Sequence, residues 1–84
     1  MPLLFGVGVG KKHFKRAVDR NRVKRLVREA YRTQKLDLRE LAISKAVTVK
    51  IFFVYTGKEL PVYIDVKEKV EMVLKKLEEQ LSKN

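Results

Sequence analysis

Residues 19–34 read Asp19-Arg20-Asn21-Arg22-Val23-Lys24-Arg25-Leu26-Val27-Arg28-Glu29-Ala30-Tyr31-Arg32-Thr33-Gln34, and this stretch decides how the chain is read. Placed on a helix at about 100° per residue, Val23, Leu26, Val27 and Ala30 fall on one side, with Tyr31 at its edge. Asn21, Lys24, Arg25, Arg28 and Arg32 fall on the other side, flanked by Arg20 and Arg22. Asp19 is placed to cap the helix, because its carboxylate can accept from the free amides of the first turn. An apolar stripe of this width must pack on a sheet, so the cations must face outward.

The neighbouring segments supply that sheet. Leu3, Phe5, Val7 and Val9 alternate with Leu4, Gly6 and Gly8, the period of a strand. The glycines leave one strand face bare, so either a partner or a neighbouring element approaches the backbone closely there. From Val47 to Tyr55 the pattern alternates again. Val47, Val49, Ile51, Phe53 and Tyr55 make a wholly apolar face, opposite Thr48, Lys50, Phe52 and Val54. Residues 35–46 are a connection with a short helical turn at Leu38–Ile43, and Thr56 to Pro61 is a loop by its Gly and Pro. A final helix runs from about Asp65 to Leu81, with Val66, Val70, Val73, Leu74, Leu77 and Leu81 on one face. The expected architecture is α+β: two layers in the order strand-helix-strand-helix, the sheet covered by helices.

With 84 residues the chain is expected to form one domain over 1–84. Its net charge of +10 is unevenly spread. Ten of the 20 basic residues (Lys11, Lys12, Lys15, Arg16, Arg20, Arg22, Lys24, Arg25, Arg28 and Arg32) share residues 11–32 with only Asp19 and Glu29 as acids. Segment 65–83 is neutral by contrast, with five bases and five acids. Excess charge packed into a quarter of the chain implies a polyanionic partner. A merely solvated helix face fits poorly, because acids able to pair with these bases are nearly missing. Arg and Lys bind phosphates and release counterions, Arg also forks to base edges, and Asn21 adds a donor and an acceptor that charge alone would not require.

Several classes of function are disfavoured. There is no cysteine, and His13 is the only histidine, with no acidic cluster around it, so a protein-held metal is not expected. Absence of cysteine suits a reducing cytoplasm, which is the expected location. Pro2–Val9 is too short to span a bilayer and lacks the basic lead-in of a signal peptide, so no membrane role is expected. Ser44 and Ser82 sit in no nucleophile context, and Gly10-Lys11-Lys12 lacks the remaining glycine and hydroxyl of a phosphate-binding loop. No catalytic side chain is assigned.

The run Gly10-Lys11-Lys12-His13-Phe14-Lys15-Arg16-Ala17-Val18-Asp19-Arg20-Asn21-Arg22-Val23-Lys24-Arg25-Leu26-Val27-Arg28-Glu29-Ala30-Tyr31-Arg32 closely resembles the signature of the bacterial ribonuclease P protein subunit. Its core is Arg-Asn-Arg followed by Lys-Arg and a further Arg. The resemblance extends in element order over nearly the whole chain, though it weakens in sequence after Gln34. It implies a ribonuclease P protein-like fold, shared with the second domain of a small-subunit ribosomal protein. That fold has a left-handed strand-helix-strand crossover, against the usual right-handed rule.

The resemblance also implies a role. The chain would be the protein component of an endoribonuclease that removes the 5′ leader from precursor tRNA. Its partners would be the ribonuclease P RNA and the leader. The catalytic groups would reside on the RNA, and the RNA-protein holoenzyme would require Mg2+, with no cofactor held by the protein. Carried over by position, the RNA-binding residues are Arg20, Asn21, Arg22, Lys24, Arg25 and Arg28, with Lys11, Lys12, Arg16 and Arg32 nearby. Phe5, Val7 and Phe52 are the candidates for a leader cleft on the sheet. The alternative is a general RNA- or DNA-binding module using the same helix.

Two departures from the family pattern bear on this. Family members usually begin with a helix and two strands ahead of the strand matched by Leu3–Val9, so the chain is expected to be a partial domain that lacks part of the leader cleft. Uncovered sheet edges and apolar faces then predict self-association, by strand pairing between protomers. Positions equivalent to Gly8 and Gly10 are often small polar residues in the family, so the leader is expected to find no polar side chain there.

Overall fold

The computed structural model describes residues 2–83. Five elements follow in order: β1 (Leu3–Val9), α1 (Ala17–Gln34), α2 (Leu36–Ser44), β2 (Val49–Tyr55) and α3 (Tyr63–Lys83). The two strands pair in parallel, with Leu3 opposite Val49 and Val9 opposite Tyr55. Parallel pairing requires a long crossover, and residues 10–48 supply it. The Val49 amide donates to the Pro2 carbonyl at 2.9 Å, carrying the ladder one step past the strand.

Alternation sorts the sheet into two unlike faces. Val7 and Ile51 are buried, and Leu3, Phe5, Val9, Val49, Phe53 and Tyr55 pack beside them against the helices. The helical side of the core is Val23, Val27, Ala30 and Tyr31 of α1, Leu38 of α2, and Val66, Val70 and Leu74 of α3. Phe5 stacks on Tyr31 with ring centroids 4.0 Å apart and planes 4° from parallel, which fixes α1 on β1. α3 lies against α1 and α2. The sheet is therefore covered on one face only. On the other face Leu4, Phe52 and Val54 are 43%, 68% and 59% exposed.

Three local expectations are corrected. A full helix, α2, replaces the short turn at Leu38–Ile43. Lys35 keeps right-handed helical angles between α1 and α2, and Leu38 and Ala42, one turn apart, are fully buried. The second strand begins at Val49 rather than Val47, because the Val47 amide donates to the Ala42 carbonyl while the Ala46 amide donates to Ile43. These two bonds are a Schellman motif closing α2, with Ala46 at φ 57° in the left-handed position that usually falls to glycine. Asp19 is not the cap of α1. The helix starts at Ala17, Arg16 is the extended capping residue without a side-chain cap bond, and Asp19 sits inside the first turn. At the far end, Val73 lies at the margin of the apolar face of α3 and is 37% exposed.

The bare strand face at Gly6 and Gly8 is occupied by a side chain of the neighbouring strand. Phe52, the cross-strand partner of Gly6, lays its ring over both glycines. A Cβ at Gly6 would stand 2.8 Å from Phe52 Cδ2, and one at Gly8 would stand 3.2 Å from Cε1 and Cζ. Only glycine lets the ring settle this close to the backbone.

Candidate nucleic-acid interface

The site is built on α1. Burial of Val23, Val27, Ala30 and Tyr31 fixes the rotation of the helix, and that rotation turns Asn21, Arg22, Arg25 and Arg28 to solvent. Lys24 is half-buried at the margin. Among the described residues, Arg22, Lys24, Arg25 and Arg28 form no ion pair with an acid. A cation without an internal partner keeps its attraction for an external anion, and burial beneath it keeps the helix from turning away.

The other motif positions are more engaged. Arg20 is half-buried, and its Nη1 donates to the carbonyls of Phe14 at 2.7 Å and Lys15 at 2.9 Å. Phe14 is itself buried, with its ring 5.9 Å from that of Tyr55. Arg20 and Phe14 thus hold the connection between β1 and α1 from both sides. Arg16 reaches Asp19 at 3.8 Å but stays largely exposed, a pairing worth little in water. Arg32 donates to both carboxylate oxygens of Glu29, and that bidentate contact holds the Glu29 carboxyl below its ordinary range. Lys11 and Lys12 are exposed on the turn that leaves β1, next to exposed His13.

The three residues expected to line a leader cleft do not share a surface. Phe5 and Val7 point into the helix-covered core, whereas Phe52 points to the open face. Strand alternation forces the split: Phe5 pairs with Ile51 and Val7 with Phe53, the two neighbours of Phe52. The open face carries Leu4, Phe52 and Val54 around the two glycines, with Lys50 exposed beside them.

The described residues offer no group of three or more His, Cys, Asp or Glu side chains able to hold a metal ion. No described helix is long and apolar enough to cross a membrane.

Comparison with known proteins agrees with the geometry. A family model described as Ribonuclease P matches residues 2–78. The chain belongs to the ribonuclease P protein family. It is 51% identical over 55 residues to the ribonuclease P protein component of Porphyromonas gingivalis, a match covering 66% of this chain and 40% of that protein. Shorter matches of 27 residues link it to the ribonuclease P protein components of Nitrosococcus oceani and Chlorobaculum tepidum. These are 67% and 74% identical, cover 32% of this chain, and span 23% and 18% of those relatives. The matched segments span 40% or less of the length of these relatives. No solved structure matches it.

Two residues of the basic surface were not among the sequence candidates. Lys35 and Arg39 stand beside Arg28 and Arg32 around one hollow. Their spacing reveals this only if the helix carries on past Gln34, and residues 35–46 read as a connection in the sequence.

Proposed function

We propose that this chain acts as the protein component of ribonuclease P, binding the catalytic RNA through the exposed face of α1 and assisting removal of the 5′ leader from precursor tRNA. The observation that carries this reading is the set of cations Arg22, Arg25 and Arg28, which form no ion pair among the described residues and are turned outward by a helix whose other face is locked into the core, with Lys24 at its margin. Asn21, Lys11, Lys12 and Arg16 extend the surface, and Arg20 contributes by holding the turn that presents it. The protein would lower phosphate repulsion between catalytic RNA and substrate. The RNA, with Mg2+, would carry out the phosphodiester hydrolysis, in the cytoplasm.

Leader binding belongs to the same proposal. Phe52, with Leu4 and Val54, would offer an apolar platform on the open sheet face, since exposed aromatic rings stack on unpaired bases. Parallel pairing of β1 and β2 across a helical crossover supports the fold of the family, with the left-handed connection that fold implies. Each described strand has a single partner, and this supports self-association by strand pairing. Light scattering at micromolar concentration giving the mass of a dimer is expected, and a well-folded monomer removes that part.

The test is reconstitution. Added to its cognate ribonuclease P RNA at low Mg2+, the chain should stimulate cleavage of precursor tRNA. No stimulation, together with binding to that RNA no tighter than to a random duplex of equal length, contradicts the proposal and leaves a general nucleic-acid-binding module.

A further inference from the structure

The cations do not stop where α1 stops. Arg28, Arg32, Lys35 and Arg39 follow one another at steps of four, three and four residues, the spacing of one face of a helix. Lys35 joins α1 to α2 in a right-handed helical conformation, and the Arg39 amide donates to its carbonyl at 2.9 Å. The row therefore runs on from the family motif into α2. All four side chains line a single hollow whose remaining walls are Pro2, Leu3, Leu4, Phe5 and Tyr31.

Each part of the hollow has a definite chemistry. Its floor is apolar and aromatic, with Phe5 and Tyr31 stacked and Lys35 Nζ held 5.7 Å from the centre of the Tyr31 ring. Its rim is cationic. Arg28 and Arg39 are exposed and form no ion pair among the described residues, and Arg32 spends only part of its guanidinium on Glu29. Among the described residues, Glu29 is the one acid that closes on a rim cation. A cationic rim over an aromatic floor suits a nucleotide unit, with phosphate on the rim and sugar or base against the floor, better than a free phosphate, which would leave the floor uncovered.

We infer that Lys35 and Arg39, with Arg28 and Arg32, form a second RNA-backbone site that continues the α1 interface onto α2 and takes a stretch of the same RNA strand. This rests on the proposed RNA-binding role of α1, and Arg28 belongs to both surfaces. The α2 segment then serves two ends: Leu38 and Ala42 anchor it in the core, and Arg39 faces the polyanion.

The experiment compares three double variants of the full chain for binding to cognate ribonuclease P RNA across a salt series. Lys35→Ala/Arg39→Ala is expected to reduce the slope of log affinity against log salt by about 0.7–0.9 for each phosphate that is no longer neutralised. Arg22→Ala/Arg25→Ala should reduce it similarly. Lys69→Ala/Lys76→Ala, which removes the same charge from α3, should leave it nearly unchanged. Because the chain has no cysteine, Leu36→Cys gives a single attachment point for an iron chelate at an exposed position next in sequence to Lys35, which lines the hollow. Hydroxyl radicals released there should cut the RNA at discrete positions, whereas a probe on Glu79→Cys should not.

If the Lys35/Arg39 variant behaves like the α3 control while Arg22/Arg25 still lowers the slope, the second site is wrong and the α1 reading stands. If neither pair lowers the slope, both are wrong. Thermal unfolding of each variant shows whether the fold is kept.

Discussion

Replacing Arg20 by alanine separates two duties that the Arg-Asn-Arg sequence merges. Arg20 and Arg22 sit one residue either side of Asn21, yet they meet different surroundings. Arg20 Nη1 donates to the Phe14 and Lys15 carbonyls, closing the turn that precedes α1, whereas Arg22 is exposed and forms no ion pair among the described residues. A hydrogen bond to a charged group contributes about 1.5–3 kcal/mol when shielded, and less when solvent competes. The Phe14 bond is partly buried and the Lys15 bond exposed, so the loss on Arg20→Ala should be about 2 kcal/mol. For a domain of this size that lowers the melting temperature by roughly 10 °C. Arg22→Ala should stay within about 0.5 kcal/mol of the parent. Arg20→Lys should recover only part of the loss, because an ammonium keeps the charge without the planar fork. Urea and thermal unfolding followed by circular dichroism measure all three. Equal stabilities for Arg20→Ala and Arg22→Ala would refute the assignment of Arg20 to the turn.

Further outcomes follow from the same structure. Ala46 holds a left-handed conformation at φ 57°, so Ala46→Gly should raise stability by about 1 kcal/mol, read as a higher urea midpoint at unchanged slope. Leu38 is fully buried, and Leu38→Ala should cost about 3 kcal/mol by the same assay. A cost near zero would mean that α2 is not part of the core. Burial pushes the Tyr31 phenol above its ordinary value of 10.0. The folded state then holds the phenolic proton more tightly than the unfolded state, so this stability is fully present below the unfolded value and lost as pH rises through the folded one. Alkaline unfolding midpoints should therefore fall faster above pH 10.0 for the parent than for Tyr31→Phe, and identical curves would count against burial as the cause.

How much of the fold and site is legible in the sequence depends on whether a feature is local. The α1 faces and the two strand alternations follow from period alone, and the core residues Val23, Val27, Ile51, Val66 and Val70 lie where the period puts them. The family resemblance is carried by a continuous run, and the match over residues 2–78 agrees with it. What the sequence hides depends on neighbours distant in the chain. α2 reads as a turn because its exposed Leu36 and Ile43 blur a stripe made of only Leu38 and Ala42.

The start of α1 is misplaced by capping rules because they look for an acceptor serving amides. Here a guanidinium serves carbonyls instead, and Phe14 supplies the packing. Phe5, Val7 and Phe52 group together by residue type, although alternation alone places Phe5 and Val7 on one face and the parallel register then sets Phe52 on the other. The glycine face is recognisable as an opening, but only the register shows that Phe52 covers it.

The central claim is that the outward face of α1 holds the ribonuclease P RNA by its phosphates. The most direct measurement is the salt dependence of binding to that RNA for the parent and for Arg22→Ala/Arg25→Ala/Arg28→Ala, three exposed cations that form no ion pair among the described residues. The slope of log affinity against log salt should become shallower by about 2–3 in the variant, at about 0.7–0.9 per phosphate neutralised, with the melting temperature little changed. A variant that stays folded and keeps the parent's slope would contradict the claim.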